Sequence, residues 1–262
     1  MNAEYTSLNL VNIAIASGFI VLAGFVSLAL RLGLVKSLAI GAARTFIQLS
    51  IAGVAIGFVF GLKSIVWVLL LTAVMMLFAA REGISRLKVK LRGSGLDALL
   101  AIILSSFVVA VTVTGVIIGD EPWWKPQVFI PIMGMVLGNS LSGISLALDR
   151  FMNGCVEKRA EIETRLTLGA SAAEAILPIS RDAIRTGMMP MINSMNIVGI
   201  VSLPGMMTGQ LLAGADPKDA VLYQIIVMYM IVAAATLGGI IAVTLARRRV
   251  FTKDMALRGE LY

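Results

Sequence analysis

Leu8-Asn-Leu-Val-Asn-Ile-Ala-Ile-Ala-Ser-Gly-Phe-Ile-Val-Leu-Ala-Gly-Phe-Val-Ser-Leu-Ala-Leu30 contains no Asp, Glu, Lys or Arg. A helix rises about 1.5 Å per residue, so a run of this length crosses roughly 30 Å of hydrocarbon. The start before it is polar but lacks Lys and Arg, which suits a span retained in the mature protein better than a cleaved signal peptide. Similar runs follow near residues 40–61, 64–80, 98–119, 127–148, 187–212 and 220–246. Lipid offers no water to backbone amides, so each run is expected to be a helix. The expected fold is all-α: a polytopic bundle of about seven transmembrane helices, with residues 1–262 forming one membrane domain.

Composition agrees. The chain is 58% hydrophobic and 14% charged, more apolar surface than a soluble core of 262 residues would hide. The net charge of +7 does not indicate a nucleic-acid face, because the basic residues sit in short clusters between uncharged runs. There is no histidine and a single cysteine, Cys155. That leaves no disulfide framework, no Cys/His metal cluster and no imidazole for acid–base chemistry.

The basic residues also set an orientation, since they favour the cytoplasmic side. With the N-terminus outside and the C-terminus inside, 19 of the 22 Lys and Arg residues fall on inner segments. Lys63, Lys125 and Lys218 remain, one for each outer loop. Trp123 and Trp124 after Pro122 suit an outer headgroup anchor. Arg44 is the one charge entering a span, with Gln48 a turn deeper; it reads either as snorkelling to inner headgroups or as a contact at the inner mouth.

The longest extramembrane stretch, about 149–186, has clear punctuation. Cys155 to Leu168 reads as a helix with Ile162 and Leu166 on one side and Glu161 paired with Arg165 four residues on. Gly169 is the expected stop. Ser171 and Glu174 then form a Ser-x-x-Glu capping box that starts a second helix. A stiff helical hairpin results. It either links two spans as a solvated connection or transmits force from a soluble partner.

Polar groups inside spans mark packing contacts or a conduit. Asn139 and Ser142 lie three residues apart in the fifth run, and Asn193 and Asn196 repeat that spacing in the sixth, followed by Ser202, Thr208 and Gln210. Pro204 and Gly205 are expected to interrupt the sixth run. Met206 and Met207 sit beside the break; thioethers are soft metal ligands, but methionine is also a flexible packing residue. No carboxylate lies deep in any run, whereas a hard cation would want Asp or Glu oxygens.

Glu163-Thr-Arg-Leu-Thr-Leu168-Gly169-Ala170-Ser171 resembles the cytoplasmic coupling-loop signature of ABC transporter permeases, with Thr164 and Arg165 in place of the usual alanine pair. A wider resemblance rests on Arg44 with Gln48, Gly138-Asn139, Asn193-Ser194-Met195, Tyr223-Gln224 and above all Gly199-Ile-Val-Ser-Leu-Pro-Gly-Met-Met-Thr-Gly-Gln210. On these residues the chain is similar to the FetB-like iron-export permease family, related to plant aluminium-resistance proteins. The resemblance implies a permease domain of the bacterial inner membrane, not itself an enzyme. Two copies would pair with two ATP-binding, FetA-like subunits, with ATP and magnesium bound on that partner. It makes Glu163, Leu168, Gly169, Ala170, Ser171 and Glu174 the ATPase-coupling residues and metal export the transport activity. Gly57 to Ser64 superficially resembles a phosphate loop, but its spacing is wrong for one. A non-metal substrate such as a nucleotide sugar, or an ATP-independent carrier or channel, stands as the alternative.

Overall fold

The computed structural model describes residues 9–62, 64–85, 93–252 and 256–258. Lys63, Arg86, Lys88, Lys90, Arg92 and Lys253, all used in the orientation argument, lie outside them. The helices are α1 (Leu10–Ala29), α2 (Val35–Leu62), α3 (Ile65–Ser85), α4 (Ser94–Thr112), α5 (Pro126–Glu157), α6 (Arg159–Thr167), α7 (Ala172–Ile197), α8 (Gly205–Leu212) and α9 (Pro217–Val250). A π-helical turn, Val113–Ile117, extends α4. No strand is present among the described residues.

Six stretches are long and apolar enough to cross a bilayer: Leu10–Ala29, Val35–Leu62, Ile65–Gly83, Gly95–Ile117, Pro126–Glu157 and Pro217–Val250. They correspond to six of the seven runs expected from sequence. The remaining run, 187–212, is divided. Its first part is the end of α7, which begins in the charged stretch and so is not apolar throughout, and its second part is α8.

Local chemistry sets the ends of these helices. Asn9 accepts from the backbone of Val11 and Asn12 at the start of α1. Pro126 opens α5 where its missing N–H costs nothing. Asp216 caps α9 by accepting from Lys218 N–H at 2.8 Å.

The chain packs as two compact units. In the first, α1 and α2 form a helical hairpin whose turn is tied by Ser27 Oγ accepting from Leu34 N–H at 3.0 Å. Ser27 is the one buried residue of α1 and Val59 that of α2; the other apolar side chains are left for lipid or protein. In the second unit α5 is the central helix, burying Phe129, Ile132, Met133, Val136, Ile144 and Phe151 against its neighbours. Trp123 meets Phe129 edge-on, with ring centroids 5.5 Å apart.

Small residues allow the close approach at the middle of this unit. A Cβ on Gly187 of α7 would stand 2.6 Å from Gly143 O of α5 and 2.7 Å from Ala147 Cβ. One on Gly143 would stand 3.0 Å from Gly187 O and 3.5 Å from Ala235 Cβ of α9. Helices α5 and α7 therefore touch backbone to backbone at their crossing, with α9 against it.

Candidate functional site

Two regions of the second unit gather the coupling residues and part of the pathway residues singled out in the sequence, and α7 joins them.

The first is the α6–α7 hairpin. Its opening helix is shorter than read from sequence: Cys155 to Glu157 continue α5, the chain turns at Lys158, and α6 runs only from Arg159 to Thr167. Ile162, 1% exposed, anchors the buried side of α6. Gly169 has φ +94°, the left-handed conformation that an L side chain resists, and its N–H donates to Leu166 O. Ala170 N–H reaches back to Arg165 O, so the bend is tied to the last turn of α6.

The capping box is complete. Ser171 Oγ accepts from Glu174 N–H at 3.3 Å, and Glu174 Oε2 accepts from Ser171 N–H at 2.9 Å and from its hydroxyl at 2.6 Å. These bonds from Ser171 hold the Glu174 carboxyl below its ordinary value.

Arg165 stitches the hairpin, donating to Glu161 at 2.7 Å and to Ala175 O of α7 at 3.2 Å. Glu163 is bridged by Arg159 at 2.7 Å. Leu168 at the bend is 82% exposed. An exposed leucine at the tip of a braced hairpin is an unpaired contact point.

The end of α9 lies at the same end of the unit as the hairpin. Arg247 donates to Ala173 O of α7 at 3.2 Å, and Arg249 forms a two-pronged pair with the buried Asp97 at the start of α4. Arg165 of the hairpin and Arg247 and Arg249 of α9 are thus at one end of the unit. The opposite end carries Asp120, paired with Lys125 at 3.1 Å, and the Asp216 cap, so both of these acids have local partners.

The second region is a cavity of about 440 Å³ in the half away from the hairpin. Its wall combines Met135 and Asn139 of α5, Met191 and Ser194 of α7, the segment Ser202 to Met206, and Gln224 and Met228 of α9. On the hairpin side, its lining residues Asn139 and Met191 lie one helical turn from the Gly143–Gly187 crossing. The wall is irregular because α7 ends at Ile197 and α8 starts only at Gly205. Between them the chain turns on itself: Val201 N–H donates to Ile197 O at 2.9 Å and Gly199 N–H to Ser202 O at 2.9 Å. Pro204 O accepts both the N–H of Thr208 at 3.0 Å and its hydroxyl at 3.1 Å. The interruption expected at Pro204–Gly205 is present, and begins at Val198.

Of the pathway residues proposed from sequence, Asn139, Ser202 and Met206 line this cavity. Met207 lines a neighbouring one of about 510 Å³, together with Met195 and Tyr229. Val198, Leu203, Gln224 and Met228 border both. Met206 and Met207 therefore face different spaces. Ser142, Asn193 and Asn196 are exposed on the surface of the chain; Ser142 Oγ donates to Gly138 O at 3.4 Å. Thr208 is spent on Pro204, and Gln210 Oε1 is buried with no hydrogen-bond partner among the described residues.

Gln224, Met135, Met191 and Met228 were not singled out as pathway residues. Their signal was in the spacing: Met135 and Asn139, like Gln224 and Met228, lie four apart on one helix face. Gln224 is 5% exposed, and its Oε1 is buried without a partner among the described residues.

Apolar helices of membrane length, a charged hairpin at one end and a part-open, mostly apolar cavity carrying a few amide groups toward the other define a polytopic α-helical membrane protein. Over residues 10–251 the chain matches the model of Uncharacterised protein family UPF0014, and it belongs to that family. It is 38% identical over 216 residues to the UPF0014 membrane protein slr1647 of Synechocystis sp., covering 82% of this chain and 83% of that one. It is 31% identical over 240 residues to the "Probable iron export permease protein FetB" of Escherichia coli, covering 92% and 91%. Protein ALUMINUM SENSITIVE 3 of Arabidopsis thaliana is 30% identical over 246 residues, covering 93% and 88%. The likeness to FetB and to plant aluminium-related proteins drawn from sequence therefore holds. No solved structure matches the chain.

Proposed function

We propose that this chain is the membrane-spanning permease subunit of an ABC transporter that exports a metal ion, with iron the substrate suggested by the relative's name. The observation that carries the reading is the continuity of α7. One helix of 26 residues, about 39 Å long, begins at the capped bend beside Gly169 and ends in the cavity wall at Met191 and Ser194. A push on the hairpin is delivered to the cavity without an intervening loop, although Pro178 and Pro190 lie within the helix.

In this reading the hairpin docks on an ATP-binding partner that holds ATP and magnesium, and Leu168 is its exposed contact. The hairpin end is cytoplasmic, with the N-terminus outside, and the membrane is the bacterial inner membrane. The Gly143–Gly187 crossing is then on the inward side of the cavity. Asn193 and Asn196, exposed on α7 among apolar side chains, are costly against lipid. A second copy of the chain facing them accounts for that exposure and gives a complex of two permeases with two ATPases.

The test is co-purification with the candidate ATPase in lipid, read as complex stoichiometry and stimulated ATP hydrolysis. Leu168→Asp and Glu163→Lys are expected to abolish stimulation while thermal unfolding shows the fold retained. Stimulation at the wild-type level in both variants would remove the coupling assignment.

A further inference from the structure

We infer that the cavity bounded by α5, α7 and α9 is a site for a soft, thiophilic metal cation, held by Met135, Met191, Met206 and Met228 with oxygen donors from Gln224 and Asn139. This deepens the metal-export reading and rests on it for the direction in which the ion moves.

The donor set argues for that class. Four of the residues lining the cavity are methionines, contributed by three long helices and the start of α8, so thioethers converge on one space from separate elements. Packing by methionine alone would fill that space, whereas about 440 Å³ remains open. The oxygens are neutral. Asn139 donates its Nδ2 to Met135 O at 2.8 Å, which leaves its carbonyl oxygen as the group free for a ligand.

Gln224 supplies the second, independent observation. Its Oε1 is buried without a hydrogen-bond partner among the described residues, a state that costs free energy until something fills the acceptor. Gln224 itself lines the cavity, and rotation about the soft terminal torsion of its side chain would turn this oxygen into the cavity, where a bound cation would fill it.

No carboxylate lines the cavity, and no cluster of three His, Cys, Asp or Glu side chains occurs among the described residues. Hard ions such as magnesium require anionic oxygens, while thioethers select copper(I) and silver(I). Iron(II), of intermediate softness, is the weaker guest. The neighbouring cavity offers Met195, Met207 and the shared Met228, so Met207 belongs to a different wall and not to this site.

The full chain in lipid nanodiscs tests the site without any ATPase. Equilibrium dialysis with silver(I), read by elemental analysis, is expected to give a wild-type affinity that falls about tenfold or more in Met206→Leu combined with Met228→Leu. Met189→Leu, at an exposed position of α7 outside the cavity, is expected to leave it unchanged. Magnesium is expected not to compete. Methionine-to-leucine changes preserve volume, and thermal unfolding checks that the double variant folds.

X-ray absorption of the wild-type chain loaded with copper(I) needs no variant, and a sulfur shell is the expected result. Silver affinity unaltered in a folded double variant, effective magnesium competition, or a shell without sulfur would each overturn the site. ATP-driven transport that survives such an outcome would leave the permease reading standing. Silver binding without ATPase coupling would do the reverse.

Discussion

Ser171 and Glu174 carry a local prediction about pH. The Glu174 carboxyl accepts its two bonds from Ser171 more strongly when ionised, so its value in the folded chain is lowered from the ordinary 4.5. The stabilisation is complete above that ordinary value and is lost as pH falls through the lower folded one. The advantage of the wild type over Glu174→Gln in thermal unfolding is therefore expected to be constant at neutral pH and to shrink as the solution is acidified below 4.5. Ser171→Ala removes the reciprocal cap and is expected to cost about 1 kcal/mol. Arg249 behaves differently, because its partner Asp97 is buried. Arg249→Met leaves that carboxylate without its counter-charge and is expected to cost about 1–3 kcal/mol in denaturant unfolding, more than Asp97→Asn, where no charge is stranded. The Ser-x-x-Glu cap was legible from four adjacent positions. The Asp97–Arg249 pair was not, since 152 residues separate its members.

Among the helices, α7 decides most of the functional geometry, and its contact with α5 is the place to disturb it. Gly187→Ala would drive a Cβ into the Gly143 carbonyl, an overpacking backbone contact expected to cost about 1–3 kcal/mol. Gly209→Ala in α8 meets nothing within 4 Å and is expected to be neutral or stabilising by about 0.5–1 kcal/mol. Thermal unfolding of the two variants in one detergent checks both. The positions of α1, α2, α3, α4, α5 and α9 followed from uncharged apolar runs, although α5 extends to Glu157, nine residues past the end of its run. The sixth run did not, because a single helix joins its first residues to the charged stretch 149–186. Charge marks where a chain leaves hydrocarbon; it does not mark where a helix stops, and Arg181, Asp182 and Arg185 sit within α7 without breaking it. The helix ends where the turn beginning at Val198 takes the backbone out of the helical path.

For the molecule as a whole, the proposed orientation makes a labelling prediction. Cys155 is buried, so single cysteines can be added elsewhere against a quiet background. Leu168→Cys is expected to react with an impermeant maleimide only in inside-out vesicles, and Lys218→Cys only in right-side-out ones; the opposite pattern would invert the permease in the membrane. By itself the sequence determined that the chain is an α-helical membrane protein, where most spans lie, the capped bend around Gly169 and the family to which it belongs. Those properties come from hydrophobic length, charge spacing and residues adjacent in the chain, all readable in one dimension. Only the tertiary structure decided that Met206 and Met207 face different cavities, that Gln224 is buried with its oxygen unsatisfied, and that methionines from α5, α7 and α9 share one wall with Met206. Each depends on the rotation and crossing of helices far apart in sequence, set by the close Gly143–Gly187 contact, which no periodicity within a single run encodes.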